Sequence, residues 1–176
     1  MSKRQGGRPK EVNDFYPTPK SAVLPLIPFL PDGLRYYEPC AGAGDLIKHL
    51  DGDGRMCVGA CDIAPRADFI EQRDCLKLLY ADIKFVDVFI TNPPHTHELL
   101  APIIDHLVKY RPTWLLLPHD WIATKQASPF LDYCSHIKVI GRMKIYPGSP
   151  STGFDNFVWA RFTNQFTNTK FVGRDF

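Results

Sequence analysis

The sequence lacks any hydrophobic run long enough to span a membrane and any cysteine pattern typical of a metal site. Its best apolar stretch, residues 21–30, is interrupted by Pro25 and Pro28, whereas a membrane helix needs ~20 apolar residues. Five cysteines with no C-x-x-C pair disfavour a disulfide framework or a zinc ribbon and favour reduced thiols in a cytoplasm. The histidines show no ligand spacing, so no metal is expected. No apolar segment follows the N-terminal charges, so no secretory signal is expected.

A strong excess of charge of either sign is also lacking. Charged residues make up 23% of the chain and the formal net charge is +2, which excludes a globally basic nucleic-acid-binding body. The positive charge is concentrated in residues 1–10, which contain no acid. We therefore predict a flexible basic tail over residues 1–12, followed by one domain over residues 13–176. Within GGRPK, Arg8 is similar to the arginine of a minor-groove hook; the alternative is a solvated tail.

What the sequence does have is a regular alternation of apolar strands and helices, with 44% hydrophobic residues. Strands are predicted at residues 34–38, 56–62, 68–74, 85–91, 114–117, 137–146 and 156–162. Helices are predicted at residues 19–29, 45–50, 76–80, 98–110 and 130–134. The pattern predicts an α/β fold, a mostly parallel sheet with helices on both faces. Ligands of such folds bind at the carboxyl ends of the strands.

Two features point to a nucleotide-like ligand at that edge. In YYEPCAGAGDL, Glu38 ends a strand, and Gly42 and Gly44 open the turn into a helix, where the backbone can approach a ligand closely. Asp62 ends the next strand, 20 positions after Gly42, a spacing typical of an acid that binds ribose hydroxyls. The alternatives are a tight strand-to-helix turn for the glycines and a helix cap for Asp62.

A third feature, Thr91-Asn92-Pro93-Pro94, follows the strand FVDVFI. An Asn side-chain oxygen and a carbonyl in a rigid Pro-Pro turn can both accept hydrogen bonds from one amino group. This arrangement suits an amine that must become a nucleophile. The alternative is an ordinary proline-rich strand terminator.

The order YPTP, EPCAGAG, CD, RD, NPP resembles the S-adenosylmethionine-dependent amino methyltransferases of nucleic acids, specifically the adenine-type enzymes. The resemblance runs from about Phe15 to Phe162. It implies a Rossmann-like methyltransferase fold with seven strands in the order 3-2-1-4-5-7-6, the last strand antiparallel. It also implies S-adenosylmethionine as the cofactor.

The resemblance assigns cofactor-binding roles residue by residue. Those for the methionine part are Thr18, Pro19, Glu38, Cys40, Gly42 and Gly44. Asp62 would bind the ribose, and those for the adenine part are Ile63, Asp74 and Cys75.

The same resemblance makes the NPP segment the catalytic one. Asn92, Pro93 and Pro94 would present the substrate amine, which attacks the methyl group directly without a covalent enzyme intermediate. His95 stands where the family has Tyr, Phe or Trp to stack on the target base. An imidazole offers less stacking area and can titrate, so activity would be pH-sensitive. His95 is therefore also compatible with two other interpretations: an enzyme for another substrate, or a protein that has lost activity.

The chain has no segment that resembles a separate target-recognition region, so specificity would come from loops, the tail or a specificity partner. Trp121 and Phe154 are candidate stacking partners for an extruded base. The expected reaction is methyl transfer to the exocyclic amine of adenine in DNA, in the cytoplasm of a bacterial or phage-infected cell. The alternatives are RNA, cytosine or protein glutamine as acceptor, or a non-catalytic binding protein.

Overall fold

The computed structural model describes residues 15–51, 54–144 and 155–174. The predicted tail with Arg8, and the candidate stacking residue Phe154, lie outside the described residues. None of the helices in the described ranges has both the length and the apolar character needed to cross a membrane.

Within the described residues, eight strands form one sheet, and most of them coincide with predicted segments. They are β1 Arg35–Glu38, β2 Met56–Asp62, β3 Glu71–Gln72, β4 Val88–Thr91, β5 Thr113–Pro118, β6 Cys134–Arg142, β7 Asn156–Phe162 and β8 Lys170–Val172. The spatial order is β3-β2-β1-β4-β5-β7-β6-β8. The predicted order is therefore confirmed for the first seven strands.

The predicted strand count is wrong by one, because β8 extends the sheet beyond β6. β8 has three residues and follows a polar stretch, so it shows too little alternation to indicate a strand. It pairs with β6 in parallel. β7 is antiparallel to both β5 and β6, and the other pairs are parallel. The predicted strand over residues 68–74 shrinks to the two residues of β3.

The α-helices in the part of the chain that the structure describes are α1 Lys20–Val23, α2 Asp45–Leu50, α3 His97–Val108, α4 His119–Ile122 and α5 Ser128–Leu131. Short 3-10 helices lie at Leu24–Phe29, Cys75–Lys77 and Tyr80–Ile83. Pro25 and Pro28 account for the change from α1 to a 3-10 helix, because neither residue can donate the backbone hydrogen bond of a continuing α-helix.

The central strands are apolar on both sides because helices cover both faces of the sheet. In β5, Trp114 and Leu116 face the core that contains α1 and α2, whereas Leu115 and Leu117 face the core that contains α3, α4 and α5. The Trp159 indole on β7 donates a 2.7 Å hydrogen bond to the Ala22 carbonyl of α1. This bond fixes the beginning of the chain's described part against the sheet.

The strand order reverses between β1 and β4, which are adjacent although β2 and β3 separate them in the chain. A crevice forms at the carboxyl ends of the strands at such a reversal. Glu38 ends β1, Asp62 ends β2 and Thr91 ends β4. The fold therefore brings the three sequence features to one edge of the sheet.

Candidate functional site

The turn between β1 and α2 is held by hydrogen bonds to the segment that follows β2. Gly42 and Gly44 have φ values of 53° and 75°, in the left-handed region that favours glycine. The Gly42 amide donates a 2.8 Å bond to Asp62 Oδ2, and the Gly42 carbonyl accepts a 2.8 Å bond from the Arg66 amide. The two strand ends thus form one rigid unit.

Aromatic rings pack directly against both glycines. A Cβ atom on Gly42 would lie 2.5 Å from Cε2 of Phe15, and one on Gly44 would lie 2.5 Å from Cζ of Phe69. The Arg66 guanidinium carbon lies 3.6 Å from the centre of the Phe15 ring, a cation–π contact. Phe15 is therefore in contact with both the glycine turn and Arg66.

Glu38 is a buried carboxylic acid with one oxygen that has no partner. Glu38 is only 2% exposed, and its Oε2 makes no hydrogen bond within the described residues. Burial, followed by the nearby charges of Asp62 and Asp45, raises the pKa of Glu38 well above its usual value. The site therefore holds Glu38 in its neutral form over a wider pH range than an exposed glutamate.

Asp62 differs from Glu38 because both of its oxygens have donors. Oδ2 accepts from the Gly42 amide and Oδ1 accepts a 2.8 Å bond from the Ala64 amide. A carboxylate has about four acceptor sites, so each oxygen of Asp62 keeps the capacity for one more donor. Asp62 thus closes the turn and still faces the cavity described next.

A cavity of about 60 Å³ lies between the chain before α1, the glycine turn and the end of β4. Seven of the predicted site residues line it: Thr18, Glu38, Cys40, Gly42, Asp62, Asn92 and Pro94. Phe15, Tyr16 and Arg66 line it as well. The small volume is consistent with the Phe15 ring that lies against Gly42.

An adjoining cleft of about 360 Å³ shares Cys40, Asp62 and Pro94 with this cavity. It contains the three residues that were predicted to bind the adenine part of the cofactor: Ile63, Asp74 and Cys75. The Ile63 side chain belongs to a residue 64% exposed, as expected for a residue that packs on a ligand. Asp74 Oδ1 accepts a 2.9 Å bond from the Leu76 amide, so it also caps the 3-10 helix that follows.

Asn92 lies just after β4 with its two amide atoms in different settings. Nδ2 donates a 3.1 Å hydrogen bond to the Tyr16 carbonyl, and Oδ1 is buried with no partner within the described residues. The neighbouring Thr91 Oγ1 is also buried without a partner in that part of the chain. Unsatisfied buried acceptors are costly, and here they concentrate at the edge that holds the cavity.

His95 is tied into the wall behind the NPP turn. Its Nε2 lies 3.1 Å from the Leu116 carbonyl oxygen, to which it donates, and its ring centre lies 5.9 Å from that of Phe157. The bond places a proton on Nε2, because a carbonyl oxygen only accepts. His95 does not line either cavity.

Some predicted site residues have other roles in the structure. Pro19 is the N-cap of α1, Gly44 is the N-cap of α2, and Pro93 is buried without lining either cavity. Trp121, a predicted base-stacking residue, is 7% exposed and stacks on Phe130 in the core. Its stacking on an extruded base stays a prediction.

Sequence reasoning missed Phe15 and Arg66 as site residues. Phe15 directly precedes the YPTP segment, so its place in the chain is a usable signal. Arg66 carries no such signal, because its contact with Phe15 depends on the turn after β2. The site also contains Leu99 and Ile103 of α3, which line the larger cleft.

Comparison with solved structures shows that this fold is shared with S-adenosylmethionine-dependent methyltransferases. A protein assigned as an RNA methyltransferase from Pyrococcus horikoshii is 15% identical over 92% of this chain and 93% of that chain, with a TM-score of 0.60. A type I restriction-modification methyltransferase subunit from Streptococcus thermophilus is 11% identical over 90% of this chain and 47% of that one, with a TM-score of 0.57.

A protein assigned as a class I S-adenosylmethionine-dependent methyltransferase from Listeria monocytogenes is 12% identical, with a TM-score of 0.55. The match covers 87% of this chain but only 61% of that protein, and less than half of the S. thermophilus subunit. No protein-family model and no curated protein matches the sequence. The comparisons confirm the Rossmann-like methyltransferase fold predicted from the sequence.

Proposed function

We propose that this chain is an S-adenosylmethionine-dependent methyltransferase that acts on an exocyclic amino group of a nucleic-acid base, with adenine in DNA as the first candidate. The observation that carries the proposal is the Asn92 carboxamide. Its unpartnered Oδ1 lies after β4, on a residue that shares one cavity with Glu38 and Asp62. A hydrogen-bond acceptor for the substrate amine and a candidate cofactor site therefore lie together at the carboxyl edge of the sheet.

The residues present suit this cofactor. The orphaned Glu38 Oε2 is a match for an amino acid's ammonium group, and Asp62 has acceptor capacity for two ribose hydroxyls. The exposed Ile63 offers an apolar surface for adenine, and Asp74 Oδ2 can accept from its amino group. When bound, the cofactor supplies an electrophilic methyl group on a sulfonium.

The chain's own contribution is to orient the acceptor amine. Asn92 Oδ1 and a backbone carbonyl of the Pro93-Pro94 turn accept the two protons of the amine, which directs its lone pair toward the methyl group. The amide is not a base at neutral pH, so Asn92 does not remove a proton before attack. Most of the rate enhancement then comes from positioning and from dipoles that stabilise the positive charge on the attacking nitrogen.

Two observations support a nucleic acid as the acceptor. The fold is shared with a protein assigned as an RNA methyltransferase and with a methyltransferase subunit of a restriction-modification system. The basic residues 1–10 would add attraction for phosphates. A separate specificity partner is part of this proposal, because the fold is shared with a methyltransferase subunit of a type I restriction-modification system.

The direct test is transfer of label from methyl-labelled S-adenosylmethionine to duplex DNA, single-stranded DNA and RNA. Each acceptor is digested to nucleosides and analysed by mass spectrometry. N6-methyl-2′-deoxyadenosine from DNA supports the full proposal. A product found only in RNA, or only on cytosine, would show that the methyl acceptor is RNA or cytosine instead. No product from any acceptor, with cofactor binding confirmed by calorimetry, would contradict the proposed activity and favour a binding protein.

His95→Tyr is expected to raise the methylation rate several-fold. In the structure His95 lines neither cavity, because its Nε2 is bonded to the Leu116 carbonyl. A tyrosine cannot make this Nε2 bond, and its larger ring can stack on a base that enters beside the NPP turn. The rate is measured at several pH values, with His49→Tyr in the last turn of α2 as the matched control. No gain at any pH would contradict a base-stacking role for position 95.

A further inference from the structure

The segment before α1 and the NPP turn are joined by one hydrogen bond across 76 positions of sequence. It runs from Asn92 Nδ2 to the Tyr16 backbone carbonyl, with a length of 3.1 Å. Pro17 follows Tyr16 and restricts it to extended backbone conformations. Phe15, which precedes Tyr16, contacts Gly42 and the Arg66 guanidinium. The direction of the Tyr16 carbonyl is therefore well defined.

We propose that the Tyr16 backbone carbonyl is the positioning group that fixes the orientation of the Asn92 carboxamide. The inference rests on the proposed function and extends it, because it assigns the residue that aims Oδ1 at the substrate amine. With Nδ2 committed to Tyr16, Oδ1 is the only amide atom that can face an incoming donor.

Hydrogen-bond chemistry determines which end of the Asn92 amide faces Tyr16. A backbone carbonyl accepts and never donates. If the amide were flipped, Oδ1 would face the Tyr16 oxygen, and two partial negative charges would lie about 3 Å apart. The Tyr16 carbonyl therefore selects the orientation in which Nδ2 is bonded and Oδ1 is left as the hydrogen-bond acceptor of a residue that lines the cavity.

The same contact predicts which residue types can take the place of Asn92. The site requires a donor toward Tyr16 and an acceptor toward the amine on one short planar group, which asparagine provides. An ionised aspartate has two acceptors and no donor, so one of its oxygens would face the Tyr16 carbonyl. A neutral aspartic acid restores the pattern, because its hydroxyl donates to Tyr16 and its carbonyl oxygen faces the amine.

This difference gives a test that a merely structural role would not satisfy. Asn92→Asp is expected to lower kcat by ~10²-fold at pH 8, the scale of losing one oriented dipole. The Tm is expected to fall at pH 8, where the buried carboxyl must ionise, and to return toward the wild-type value as the pH falls. The loss of kcat is expected to shrink as pH falls, because the carboxyl is protonated below its pKa. The wild-type rate, measured over the same range, provides the reference profile.

The pKa of the introduced carboxyl is a second readout that does not require turnover. Burial and the facing Tyr16 carbonyl both favour the neutral form, so NMR titration of Asn92→Asp is expected to give a pKa above the ordinary value. Asn168→Asp, at an exposed position beyond β7, is expected to titrate normally. An ordinary pKa at position 92, or a kcat loss that does not recover at low pH, would overturn the inference. An inactive wild type with a raised carboxyl pKa would reject the proposed function and leave the positioning contact supported.

Discussion

Asn92→Ala is expected to reduce methyl transfer by ~10³-fold or more while S-adenosylmethionine still binds. The change removes the side-chain oxygen that accepts from the substrate amine, and a well-aimed hydrogen-bonding group contributes ~10²–10³-fold to a rate. It also removes the contact with Tyr16 that aligns the chain before α1. Single-turnover rates and calorimetric cofactor affinity, measured on the same preparation, separate the two effects.

Asn168→Ala is the matched control for that experiment. Asn168 is exposed and follows β7, which runs antiparallel to β5, so it lies toward the opposite edge of the sheet from Asn92. The control is expected to keep the wild-type rate. Full activity of Asn92→Ala would show that the catalytic assignment is wrong, and loss of cofactor binding would show that Asn92 acts mainly through the fold of the cavity.

Short-range patterns in the sequence were sufficient to predict most of the fold. The segments that became β2, β7 and α2 are predicted with their observed bounds, because each combines apolar spacing with clear turn residues at its ends. The edge strand β8 was missed because three residues carry no periodicity. The strand predicted over residues 68–74 was too long, because only Glu71 and Gln72 of that segment pair with β2.

The positions of candidate site residues were predictable wherever a residue ends a strand or directly follows one. Glu38, Asp62 and Asn92 could be placed together because the carboxyl ends of neighbouring parallel strands meet. Trp121 could not, because its burial against Phe130 depends on the packing of two short helices. Arg66 was missed because its contact with Phe15 depends on a tertiary arrangement that no local pattern encodes, whereas Phe15 was missed although it directly precedes the YPTP segment.

The isolated Glu38 carboxyl indicates that the cofactor-free protein gives up stability at the proposed binding site. Burial and the charges of Asp62 and Asp45 raise its folded-state pKa, while the unfolded chain ionises at the ordinary value. The stability that neutral Glu38 contributes is fully present below that ordinary value and is lost as the pH rises through the raised pKa. At neutral pH the folded protein therefore either keeps Glu38 protonated, although the unfolded chain would ionise it, or buries a carboxylate whose Oε2 has no hydrogen-bond partner in the described residues. Either state lowers the free energy of unfolding.

Glu38→Gln is expected to separate binding from stability. Without the carboxylate, the charge-assisted bond to the cofactor's ammonium is lost, about 1.5–3 kcal/mol, which weakens S-adenosylmethionine binding roughly 10- to 100-fold. The neutral amide also escapes the ionisation cost, so the cofactor-free variant should gain ~1 kcal/mol, or roughly 2–4 °C in Tm, at pH 7–8. The gain should vanish as the pH falls toward the ordinary glutamate pKa, where both side chains are neutral.

Proton release provides the measurement that decides this interpretation. Calorimetric titration in two buffers of different ionisation enthalpy is expected to show the wild-type protein releasing a proton when the cofactor binds, because pairing with an ammonium requires ionised Glu38. Glu38→Gln is expected to release none, and Glu71→Gln, the same change at an exposed side chain of β3, is expected to behave as wild type. A wild-type protein that binds without proton release, or a Glu38→Gln variant that is less stable at pH 8, would contradict a buried neutral carboxyl poised for a cation.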